Sequence, residues 1–160
     1  MVKSDTYALE SNVHFPTDYN LLRDSGRKSC DVIESMRESG LLQGNWRKLK
    51  DWYRKIKNNR RNIGEIRRKG GQNKEVRLKK AVTEYLTIAR NFEAKIDGVL
   101  NIDLTSEEML MSLISLEYFK QMLSMHIDLL ERRVIKGEKI EHQNSLLLTV
   151  RKCGGFKFKG

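Results

Sequence analysis

The spacing of hydrophobic positions changes period at Pro16. Upstream, Tyr7, Leu9, Val13 and Phe15 share one parity, with Ser11 as the gap, while Thr6, Glu10, Asn12 and His14 take the other. Such alternation predicts a strand with one buried face. Pro16 ends it, and Thr17 stands where a cap is wanted for a helix over 17–39 that turns Leu22, Cys30, Ile33 and Met36 inward. Gly40 to Gly44 break the pattern. From Asn45 a second helix carries Trp46, Leu49, Tyr53, Ile56, Arg60 and Ile63 at steps of three and four, until Gly70 and Gly71 stop it. A third answers with Leu78, Val82, Tyr85, Ala89, Phe92, Ile96 and Val99. Two such seams joined by a diglycine turn imply an antiparallel helical hairpin over 45–100, about 35 Å long at about 1.5 Å per residue. Thr105-Ser106-Glu107-Glu108 reads as a capping box, with Thr105 as the cap and Glu108 reaching back. The fourth helix then runs through Met109, Leu113, Leu116, Leu123, Ile127, Leu130 and Val134 to about Lys136, where Gly137 supplies a left-handed end. For Leu146 to Val150 a strand and a short helix both stay open, and 141–160 is expected to be a flexible tail.

The fold class expected is therefore mainly α, a bundle of about four helices with one N-terminal strand. That strand, lacking a sheet, should fray, pair with another copy or lie over the helices. With 39% hydrophobic and 32% charged residues, a chain of 160 is long enough for one domain with a real core. No apolar run reaches the length of about eighteen residues that crosses a bilayer, and no secretory-type leader is seen, so a cytoplasmic location and no membrane partner are expected. Cys30 and Cys153 are too few and too far apart for a disulfide framework or a paired metal spacing, and Cys30 falls on a core face. His14, His126 and His142 are isolated from one another.

Charge changes this picture. Between Trp46 and Lys80 there are 15 Lys or Arg against 3 acids, while the rest of the chain holds 16 basic and 18 acidic residues. The whole excess of positive charge sits in one segment, which attracts a polyanion without reading sequence. Within the second helix Arg47, Lys48, Lys50, Arg54, Lys55, Lys57, Arg60, Arg61, Arg67, Arg68 and Lys69 meet only Asp51 and Glu65, so self-neutralising pairs do not account for them. These eleven are the candidate DNA-binding residues. Trp46 and Tyr53 lie on the apolar seam and read as core, whereas Trp52 is off it and remains open as a base-stacking group. Met109, Met111, Met122 and Met125 read as gap-filling core or a partner-binding face.

The stretch Asp5-Thr6, then Glu10-Ser11-Asn12-Val13-His14-Phe15-Pro16-Thr17-Asp18, then Leu21-Leu22 and Asp24, resembles the segment around the first catalytic aspartate of bacterial insertion-sequence DDE transposases of the ISNCY-like group. Arg132-Arg133-Val134-Ile135-Lys136-Gly137-Glu138-Lys139-Ile140-Glu141-His142 looks like that family's exit from its helical segment; after His142 the likeness fails. The resemblance implies a ribonuclease H-like α/β catalytic domain, of which this chain is an incomplete piece. It makes Asp5 a catalytic metal ligand for Mg2+ or Mn2+ in the complete enzyme. It makes DNA, at transposon ends, the partner, together with the missing C-terminal part or another copy. Residues 1–16 become the first strand of the catalytic domain, 17–140 the helical insertion, and 141–160 a divergent tail, for which a frameshift is the preferred origin over a split gene or a degenerate remnant. Two-metal strand transfer needs clustered carboxylates, because each ion must touch an attacking or leaving oxygen. With Asp5 as the one catalytic carboxylate, the chain alone is expected to be inactive and to hold no cofactor. The alternative is a non-enzymatic helical module that binds nucleic acid or pairs with another helix through its seams.

Overall fold

The structure is a computed structural model that describes residues 17–42, 46, 48–102 and 106–139. Among these residues every regular element is helical: α1 (Asp18–Glu38), α2 (Leu49–Lys69), α3 (Lys74–Leu100) and α4 (Glu107–Leu130), the last running into a π-helical turn (Glu131–Ile135). The expected strand, Asp5 within its approach, Arg47 and the tail 141–160 lie outside the described residues. The ribonuclease H-like sheet has no counterpart among the described ones.

Side-chain pairs fix the topology. Glu34 meets Lys50 and Asn20 meets Arg60, so α1 and α2 are antiparallel. Trp52 stacks near Phe92 while Gly70 accepts from Arg77, so α2 and α3 are antiparallel too. Asp97 pairs with Lys120 and Arg90 with Glu131, which reverses α4 against α3. Arg133, in the π turn, reaches Asp18 at the start of α1 and closes the ring. The result is an up-down-up-down four-helix bundle, the arrangement that short connections between amphipathic helices favour.

The seams build its core. Leu22, Ile33 and Met36 from α1, Ile56 and Ile63 from α2, Val82, Tyr85, Ala89, Phe92, Ile96 and Val99 from α3, and Met109, Leu116, Leu123 and Leu130 from α4 are all fully or almost fully buried. Each full burial of such a side chain contributes roughly 1.5–3 kcal/mol before ordering entropy is set against it. Gly26 lets α1 and α2 approach closely: a Cβ there would sit 3.1 Å from Cδ1 of Ile56, which would have to yield by a few tenths of an ångström. Between α2 and α3, Gly70 and Gly71 take positive φ of 62° and 91°, a conformation open to glycine without steric penalty.

Three local expectations are corrected. Thr17 is extended but makes no side-chain cap; its carbonyl instead accepts from the amides of Asn20 and Leu21. The cap of α4 is Ser106, whose hydroxyl accepts from the amide of Met109 at 3.2 Å, one residue after the expected Thr105, which lies outside the described residues. The second helix begins at Leu49 rather than Asn45. Gly137 does close the fourth helical segment with a φ of 72°. Of the α4 methionines, Met109 is core, whereas Met111 is 56% exposed beside Leu110, Ile114 and Tyr118.

Candidate nucleic-acid interface

Because α2 repeats its apolar residues at steps of three and four, its cations are forced onto the remaining arc. Leu49, Ile56 and Ile63 face the bundle; Lys50, Arg54, Lys57, Arg61 and Arg68 fall on the opposite side and all five are exposed. Their spacing of four, three, four and seven residues makes one row, about 27 Å long at the helical rise.

Neutralisation along the row is slight. Arg54 pairs with Asp51 at 2.6 Å and Lys50 approaches Glu34 at 3.9 Å, with the two cations 71% and 88% exposed. Pairs this exposed are worth little. Lys57, Arg61 and Arg68 have no acidic partner within reach among the described residues. Beside the row, Gly64 interrupts the side chains, and a shallow hollow of about 350 Å³ opens there, lined by Arg60, Arg61, Glu65 and Arg68.

The other candidate residues divide. Lys48 is exposed at the head of α2. Lys69 lies 3.8 Å from Glu65, Lys55 covers the Trp52 ring at 5.0 Å, and Arg67 stands over Tyr19 at 5.4 Å. Arg60 is no free surface cation: its Nε donates to Oδ1 of Asn20 at 2.7 Å, and Asn20 is buried. Sequence reasoning missed Asn20 and Gly64; a glycine inside a charged helix was the available signal for the second. Trp52 is resolved as packing, since its ring is half-buried, lies 5.9 Å from Phe92 and has the ammonium groups of Lys55 and Lys95 within 5.0 and 5.9 Å of its centre. No stacking platform is offered on the cationic row.

At one end of the bundle lies a buried polar cluster. Arg133 donates to Asp18 at 2.5 Å, with the side chains only 12% and 10% exposed. Nearby His126 is buried, its Nδ1 without a hydrogen-bond partner among the described residues, and burial pushes its pKa down to about 4 against a smaller opposing pull from Asp18. The imidazole is therefore neutral at pH 7. The Cys30 thiol is likewise uncharged at pH 7, pushed up to about 12 by burial first and by Asp31 and Glu34 second.

Among the described residues no group of three or more His, Cys, Asp or Glu stands close enough to hold a metal ion. These residues do not by themselves fit the two-ion centre that the resemblance implies, and Asp5 lies outside them. No helix among them is long and apolar enough to cross a membrane. Comparison of the chain with family models, with curated proteins and with solved structures returned no match.

Proposed function

We propose that this chain binds nucleic acid through its phosphate backbone along the outer face of α2, as the DNA-holding helical part of a DDE-type transposase. The observation that carries the first half is the exposed row Lys50, Arg54, Lys57, Arg61 and Arg68, most of it without acidic partners among the described residues. The second half rests on the resemblance of residues 5–24. In that setting Asp5 belongs to the metal-holding carboxylates of the complete enzyme, and the helical bundle grips donor DNA.

Filter binding of a mixed-sequence duplex across a salt series tests the reading. Contact of four or five phosphates gives log K falling with log salt at a slope of about −4. A flat response, or no binding at low salt, sinks it. A second reading, pairing of α4 with another copy, is favoured by the exposed row Leu110, Ile114 and Tyr118 at steps of four. Sedimentation that stays monomeric across concentrations removes that one.

A further inference from the structure

We infer that Gly64 is the floor of a seat for one backbone phosphate, walled by the guanidinium groups of Arg60, Arg61 and Arg68. This rests on the phosphate-binding reading of α2 and adds where on the helix the closest contact lies.

A glycine at this point is not explained by the fold. Gly64 is inside a 21-residue helix, is absent from the glycines with positive φ, and a Cβ added to it would meet, within 4 Å, only Nη1 of Arg60 at 3.7 Å. Gly26 is the contrast, since there a core methyl group of Ile56 occupies the space. Every residue except proline would favour the helix more at 64, so the gap in the side-chain surface lowers helix stability without meeting a packing need there.

The surroundings suit an oxyanion. Arg60 is held from behind: Nε is occupied by Oδ1 of the buried Asn20, and Nη1 is directed to the gap beside Gly64. A guanidinium fixed in this way presents its remaining N–H groups as a planar fork that matches two oxygens of a phosphate. Arg61 and Arg68 stand one turn to either side and have no acidic partner among the described residues. Glu65 is the single acid in the lining, and its carboxylate is turned to Lys69 at 3.8 Å. With no side chain at 64, a phosphate settles against the helix surface inside this ring instead of riding above it.

The test compares the unaltered chain with Gly64→Leu and Gly64→Ala, each titrated with a mixed-sequence duplex over a salt series, with circular dichroism as the folding control. Gly64→Leu is expected to keep or raise the helical content and thermal midpoint while binding about tenfold more weakly. Its salt slope should be shallower by about one unit, the loss of one phosphate contact; Gly64→Ala falls between. Equal affinity and slope for Gly64→Leu and the unaltered chain overturn the seat while leaving the wider reading intact. Should the unaltered chain show no salt-dependent binding, the wider reading fails first, and inorganic phosphate followed by nitrogen-15 shifts decides the seat separately. Saturable shifts at the Gly64 amide and Arg60 Nε that vanish in Gly64→Leu retain it, and their absence in the unaltered chain removes it.

Discussion

Replacing Asp18 by leucine leaves Arg133 charged in a place from which water is nearly excluded. The two side chains are 10% and 12% exposed and bonded at 2.5 Å, across 115 positions of sequence. Removal of one member of such a pair is expected to destabilise by about 3 kcal/mol, because the survivor keeps its desolvation penalty and loses the opposite charge that offsets it across the pair. For an ordered body of roughly 120 residues that is a fall of about 12 °C in Tm, at about 4 °C per kcal/mol. Arg133→Leu alone should behave alike. The double replacement removes both charges and is expected to lie within about 1 kcal/mol of the unaltered protein. Urea and thermal unfolding of all four proteins, followed by far-ultraviolet circular dichroism, close the cycle. If the double variant is as unstable as the two single losses added, the residues do not act on each other and the ion-pair account is wrong.

Four shorter expectations follow from the same structure. His126 has its folded pKa lowered to about 4, whereas the unfolded imidazole takes up a proton near 6.5; stability should therefore decline as pH falls from about 6.5 to about 4, by up to about 3 kcal/mol. A urea midpoint that is level over this window and unchanged in slope by His126→Phe contradicts it. Gly26→Leu should cost roughly 1–3 kcal/mol through overpacking, whereas Gly26→Ala stays close to neutral, because better helix propensity offsets the few tenths of an ångström that Ile56 must yield. The double reversal Lys57→Glu/Arg61→Glu should flatten the duplex salt slope by about two units while leaving Tm nearly unchanged. On the proposed reading, in which Asp5 needs partner carboxylates to position two ions, the 160-residue chain is expected to leave supercoiled DNA intact with magnesium present; nicking by the purified polypeptide, lost in Asp5→Asn, counts against that.

The bundle was legible because its information is periodic. Residues such as Val82, Tyr85, Ala89, Phe92 and Ile96 repeat at steps that only a helix can place on one side, and all of them are buried. Capping was less legible, since neighbouring Thr105 and Ser106 carry the same hydroxyl and only backbone geometry makes Ser106 the acceptor. The charge of α2 was visible in composition, but its division was not. Arg60 looks like its neighbours in sequence, and only the approach of α1 brings Asn20 to its Nε. Trp52 was ambiguous for a similar reason: its surroundings come from Phe92 and Lys95 on another helix. Asp18 with Arg133 was beyond reach, because pairing over that separation depends on the direction in which α4 returns.

That return has a consequence for how the four helices relate to anything joined to them. Because Asp18 opens the first helix and Arg133 lies just past the last, the path leaves the helical body where it came in. An excursion whose two feet stand together can be deleted, lengthened or grafted between neighbouring points of a host scaffold without prising them apart, and a short linker closes the gap left behind at small entropic penalty.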